Sequence, residues 1–95
     1  MRDENFEWDD QKAASNLAKH EVSFETARRA FQDTFCVERE DDSEPYDEPR
    51  FNLLGMVDNT LLFVAFTMRG DRIGIISARG AEPYEHRLYH EENRE

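Results

Sequence analysis

From residue 50 to residue 79 the chain is written as three apolar runs separated by two-residue polar breaks. "RFNLLGMV" (50–57), "TLLFVAFTMR" (60–69) and "RIGIISAR" (72–79) are of strand length. Asp58-Asn59 and Gly70-Asp71 between them suit two-residue hairpin turns, which need positive φ. Upstream the period changes. Ala13, Ala14, Leu17 and Ala18 recur at helical spacing behind the N-capping residues Asp9 and Asp10, predicting a helix over 12–20. Ser23 caps a second helix over 24–31, which presents Phe24, Ala27, Ala30 and Phe31. "TFCVER" (34–39) reads as a strand, and "FEW" (6–8) as a short edge strand or an extended lead-in. Pro83 fits the first turn of a last helix over 82–92 that carries Tyr84, Leu88 and Tyr89. This order predicts an α+β fold in one domain, residues 1–95: an antiparallel sheet of about four strands, with two N-terminal helices and one C-terminal helix on one sheet face.

Two-residue turns also fix the register of the meander. Val57 falls opposite Thr60, Arg50 opposite Thr67 and Arg69 opposite Arg72. Side chains alternate between faces, so one face carries Phe51, Leu53, Leu62, Val64, Phe66, Met68, Ile73 and Ile75, and belongs under the helices. The other carries Arg50, Asn52, Thr67, Arg69, Arg72 and Gly74 at one end, and Leu54, Met56, Leu61, Phe63 and Ile76 at the other. Its apolar half is either a partner surface or is covered by the first or last helix. Strict alternation sends Arg79 to the helix face, and a bulge near Ser77 would reverse that.

Charge sharpens the picture. The 95 residues carry a net charge of −10, which argues against nucleic acid as a default partner. The distribution is uneven, however: residues 38–49 hold seven acids against one Arg, while residues 50–80 hold four Arg against two Asp. Arg50, Arg69 and Arg72 therefore crowd one corner, and like charges facing across strands repel. Two neutralisers are open, the chain's own acidic stretch at 40–48 or a phosphate backbone. No apolar run approaches the roughly 20 residues of a membrane span, and the acidic N-terminus is unlike a secretory signal. The single Cys36 makes no internal disulfide, which fits a reducing cytoplasm.

For acid–base chemistry the candidates are His20, Lys19, Glu85 and Tyr89. His20 ends a helix, where the dipole favours a cation, so a capping role competes. Arg79 has a structural alternative in an ion pair with Glu85. Lys12 and Lys19 read first as solvated helix charges. His86 and His90 have the i, i+4 spacing of a metal pair but no third ligand at suitable spacing, so no metal and no cofactor is expected.

Three segments, "EWDDQKAASNLAKHEVSFETARRAFQD", "RFNLLG" and "IISARGAEPYEHRLY", resemble the BrnT family of type II toxin–antitoxin toxins over nearly the whole chain. The landmarks are the Trp-Asp with a Lys three further on, Asn16, the Lys-His before a Val-Ser-Phe, Arg50 with Gly55, the Ile-Ile-Ser-Ala-Arg and the Glu85…Tyr89 pair. The resemblance implies a RelE-like fold and a metal-independent endoribonuclease that blocks translation. Arg69, Arg50, Arg79, Glu85, Tyr89 and His20 are then the catalytic candidates, and Arg72, Lys12, Lys19 and Asn52 the RNA-binding ones. It also implies a BrnA-like ribbon-helix-helix antitoxin in a complex with two copies of each chain, contact with DNA only through that antitoxin, no membrane and a cytoplasmic location. The family usually places an Arg at position 74 and a Gly at position 21, where this chain has Gly74 and Glu21, and its last helix is basic where this one is acidic. The alternative reading is a catalytically weakened homologue that serves mainly as an antitoxin-binding co-repressor.

Overall fold

Both hairpin turns form where their dipeptides stand, with positive φ at the first central residue of each, 55° at Asp58 and 63° at Gly70. A computed structural model describes residues 1–94. The turns join β3 (Arg50–Val57), β4 (Thr60–Arg69) and β5 (Arg72–Gly80) into the expected antiparallel meander. β2 (Val37–Asp41) adds antiparallel to β3, and β1 (Phe6–Glu7) adds parallel to β5. The sheet thus has five strands, in the order β1-β5-β4-β3-β2, and is mixed, where about four antiparallel strands are expected. The additional strand is the "FE" of the N-terminal segment. β2 starts later than predicted because a turn occupies 33–36, where Asp33 accepts from the N–H of Phe35 through its carboxylate and from that of Cys36 through its carbonyl.

α2 (Phe24–Arg29) begins at its Ser23 cap and tightens into a 3₁₀ turn, Ala30–Gln32. It packs Phe24, Ala27 and Ala30, all fully buried, on Leu53, Leu62, Val64 and Phe66 of the sheet. The approach is close enough that a Cβ at Gly55 would sit 2.4 Å from the Ala30 carbonyl oxygen, so β3 needs glycine there. Truncating Phe24 to Ala in such a core costs about 3–5 kcal/mol.

α1 (Asp10–His20) starts at Asp9, whose carboxylate accepts from the N–H groups of Gln11 and Lys12. The expected apolar stripe does not hold it: Ala14 and Ala18 are exposed, as is Leu17, at 49%. Its buried residue is Asn16, which docks the helix on the edge of β5. Asn16 accepts from the Ala78 N–H at 3.1 Å and donates to the Ala78 carbonyl at 2.8 Å, pairing that edge as a neighbouring strand would. It also donates to Val22 O.

α3 (Pro83–Glu92) corrects the one-sided arrangement. Tyr89 and Leu88 pack on Val37, Leu54, Leu61 and Phe63, which lie on the sheet face opposite α2. The apolar half of that face is therefore covered by the last helix and is no free partner surface. No helix among the described residues is long and apolar enough to cross a membrane.

Candidate functional site

The register maps the α3 face residue by residue. Asn52 lies between Arg39 on β2 and Ala65 on β4, and Ala65 pairs with Ser77 on β5. On one side of this row of short side chains lie Arg50, Thr67 and Gly74, and on the other Leu54, Phe63 and Arg79. α3 covers the second side, the acidic loop meets the first, and the row of Asn52, Ala65 and Ser77 stays partly open between them.

Arg79 reaches this face because of a β-bulge. Phe66 pairs with Ile75 and Ala65 with Ser77, so Ile76 is an extra residue on β5. Everything after it changes face, and Arg79 falls opposite Phe63 instead of under α2. This corrects the strict alternation. The guanidinium lies over the Phe63 ring, 4.2 Å from its centroid, and donates to Glu85 through Nη1 (2.8 Å) and Nη2 (2.9 Å). Glu85 is 2% exposed. Burial pushes its carboxyl up, but the Arg79 hydrogen bonds, the Glu82 N–H and the Arg79 charge together hold it below the usual range. The same carboxylate completes a capping box with Glu82 at the start of α3. The pair therefore joins the bulged strand to the last helix, and the structural partner weighed for Arg79 is present.

At the corner the acidic segment supplies the counter-charges. Glu48 accepts from Arg69 Nη2 at 3.0 Å, and Glu7 of β1 stands 3.8 Å from Nη1. The Glu48 hydrogen bond raises the Arg69 pKa. Tyr46 places its ring 4.2 Å under the Arg50 guanidinium, and the buried Arg50 Nε has no partner among the described residues. Pro49 O accepts from Thr67 Oγ1 at 2.5 Å, pinning the end of the loop to β4. Arg72 lies opposite Arg69 as the turn requires, but its Nε donates to Asp3 O at 2.7 Å, toward the N-terminal segment. Gly74 has a clear use: a Cβ there would lie 3.3 Å from Arg69 Nη1, so its bare backbone seats the Arg69 guanidinium.

Lys12, Lys19 and His20 come together along α1. With Ser15, Asn16, Ile76 and Ser77 they line a groove of about 450 Å³ whose β5 wall is the bulge itself. The groove is thus contiguous with the open row through Ser77. His20 does not terminate the helix alone, because the left-handed Glu21 returns its N–H to Leu17 O.

Tyr89 lies elsewhere. Its hydroxyl donates to Asp33 Oδ2 at 2.6 Å, and burial together with that carboxylate pushes the phenol up to about 12. Asp33 also accepts from the N–H of Met56, so one carboxylate ties α3, the turn after α2 and β3. His86 and His90 are both exposed on α3. Sequence reasoning named the acidic stretch 40–48 as a neutraliser without singling out Glu48 or Tyr46, and it passed over Asp33, whose partners lie up to 56 positions away. Asn16, a poor helix former in mid-helix, was the one available signal for the docking of α1.

What the arrangement offers chemically is a row of arginines in which Arg50 makes no ion pair among the described residues and Arg69 is paired with Glu48 and Glu7. The Arg69–Glu48 pair has side chains 43% and 38% exposed, and such pairs are worth roughly 0–1 kcal/mol. A polyanion can displace Glu48, whereas the buried Arg79–Glu85 pair resists exchange. Arg79 still has its Nε without a partner among the described residues.

A family model described as the ribonuclease toxin BrnT of type II toxin–antitoxin systems matches residues 8–85. No curated protein matches the chain. The matched span runs from the core residue Trp8 through the bulged strand to Glu85, and so includes Arg50, Arg69, Arg79 and the α1 groove. With most of its length matching, the chain belongs to the BrnT family of ribonuclease toxins of type II toxin–antitoxin systems.

Proposed function

We propose that this chain is itself an endoribonuclease, that the open row of the α3 face and the adjoining α1 groove hold single-stranded RNA, and that cleavage is metal-independent. The observation that carries the reading is the convergence of Arg50, Asn52, Arg69 and Arg79 on one sheet face, beside a groove lined by Lys12, Lys19 and His20. The ribose 2′-OH loses its proton to a base and attacks the neighbouring phosphorus. The bond to the 5′-oxygen breaks, and that oxygen takes up a proton, leaving a 2′,3′-cyclic phosphate and a 5′-hydroxyl. Arg69 and Arg50 stabilise the added phosphoryl charge, as fixed cations do in a partly dry site. Arg79 assists from across the row through the N–H groups that Glu85 leaves free. His20 carries a proton between substrate and groove. Lys12, Lys19 and Arg72 hold flanking phosphates. Glu85 acts through Arg79 as a positioning residue, and Tyr89 acts by fixing α3.

Membership of a type II toxin–antitoxin family implies an antitoxin partner. We take it to be a BrnA-like ribbon-helix-helix protein in a complex with two copies of each chain, which blocks RNA access and binds operator DNA, all in the cytoplasm. The net charge of −10 supports a basic partner segment. The test is induced expression with and without the neighbouring small gene, paired with incubation of the purified protein with RNA in a chelator. Growth arrest relieved by the neighbour, and cyclic-phosphate ends formed in the chelator, are expected. Intact RNA in the induced cells and in the purified reaction would overturn the reading.

A further inference from the structure

Between β2–β3 and α3 lies a cleft of about 240 Å³, next to Arg79 and outside the groove and corner described above. Val37, Leu54, Phe63 and Leu88 give it apolar walls, Asn52 stands at its floor, and Tyr84, 55% exposed, is at its rim. We propose that this cleft receives one unstacked nucleobase of the bound RNA, with the Asn52 amide reading the edge of the base and Tyr84 covering its face. The inference rests on the reading of this sheet face as the RNA surface and adds where base choice is made.

Three observations single out a neutral heterocycle as the occupant. First, the two ionised residues in the lining, Glu85 and Arg39, are each paired, with Arg79 and Glu92, so the cleft offers no unpaired charge to an ionic ligand. Second, the Asn52 side chain makes no hydrogen bond to the described residues, and its amide offers one acceptor and two donors to the cleft. A carboxamide matches the paired donor and acceptor atoms on a base edge, and sequence-specific RNA recognition works on unstacked bases held this way beside aromatic rings. Third, the register places Asn52 between the arginine corner and the Phe63–Arg79 side of the face, so a nucleotide whose phosphate lies on the open row has its base within reach of the cleft. Arg39 borders the cleft too, but it is engaged by Glu92 and is not needed for the reading.

The experiment cleaves a randomised pool of single-stranded RNA with the full chain and sequences the product ends. Wild-type protein is expected to show a base bias at one position beside the cut. Asn52→Ala is expected to reduce the ratio of preferred to rejected base at that position by about tenfold, the usual scale of a bidentate base contact, whatever happens to the overall rate. Asn52→Asp, which keeps the shape but loses both donors, changes which base is preferred. An unchanged ratio in both variants overturns the proposal. Arg69→Ala separates this from the underlying reading: if that variant cleaves as wild type does, the RNA surface itself is misplaced. If no condition gives cleavage, the four nucleoside 3′-monophosphates are titrated into ¹⁵N-labelled protein. Shifts of the Asn52 side-chain amide that differ in affinity between bases support the cleft, and equal or absent shifts overturn it.

Discussion

The Glu48 carboxylate accepts from Arg69 through both Nη2, at 3.0 Å, and Nε, at 3.5 Å. Arg50 and Arg69 therefore both meet the chain's own acidic loop, with Tyr46 under Arg50 and Pro49 O on Thr67. Glu48→Gln should tighten binding of a non-cleavable single-stranded oligonucleotide by up to about fivefold, the range set by the ~0.2–1 kcal/mol of an exposed pair. Fluorescence anisotropy at fixed ionic strength reads this out. Weaker binding by Glu48→Gln would mean that Glu48 orients Arg69 for RNA rather than competing with it.

Arg69 and Arg79 should behave differently when truncated. Arg69→Ala removes an exposed guanidinium, so the melting temperature should barely move while cleavage falls roughly a hundredfold or more, the scale for losing one charge-stabilising donor at about 3 kcal/mol. Arg79→Ala leaves Glu85 buried without its cation and should cost about 3–5 kcal/mol of stability as well as activity. Glu85→Gln in the Arg79→Ala background should return part of the stability and none of the activity. Thermal melts and cleavage rates on the same samples check all three variants.

Glu21 ends α1 at φ 59°, a left-handed conformation that costs a side-chain-bearing residue roughly 1–2 kcal/mol. Glu21→Gly keeps the N–H contact to Leu17 O and should raise stability by about 1 kcal/mol, less the extra freedom it gives the unfolded chain. A denaturant midpoint that falls would show that the Glu21 side chain contributes more than its backbone costs.

The Tyr89–Asp33 bond sets an alkaline limit. The folded phenol titrates at about 12 against an ordinary value of 10.0, so the unfolded chain releases this proton first. The contribution is complete below about pH 10 and is lost as pH rises toward 12. Tyr89→Phe should flatten the loss of stability over that window and remove the last of the phenolate absorbance steps. Toward acid the direction is opposite: Asp33 and Glu85 both lie below their ordinary values, despite burial, so their contributions fade as pH drops through the depressed range.

Much of this arrangement was legible because turn chemistry does arithmetic. Asp58-Asn59 and Gly70-Asp71 set the register that brings Arg50, Asn52 and Arg69 to one face, and no packing detail is needed for that step. Other features were hidden for identifiable reasons. Ala14, Leu17 and Ala18 make a helical stripe, yet one polar residue, Asn16, docks α1 by pairing a strand edge that only the tertiary fold creates. Asp33 looks like any turn aspartate until Met56 and Tyr89 arrive from elsewhere in the chain. The counterion of Arg69 was one acid among seven in a short stretch, and composition could not choose among them.

A strand spells its two faces in odd and even positions, and Ile76 changes the parity once. Half-buried Ile76 lines the α1 groove, so substitution there changes the groove wall and leaves the register alone. Gain of one residue between Gly74 and Arg79 is a different event, because with a single bulge it turns the guanidinium into the core beneath α2 and leaves Glu85 alone on the other side of the sheet, whereas loss of one removes the bulge and keeps Arg79 opposite Phe63. Length and bulge are therefore linked in this segment, and neither changes safely without the other. In natural variants of this chain, four residues between Arg72 and Ser77 with the bulge, or three without it, and one between Ser77 and Arg79 should be found even where the residues that fill them drift.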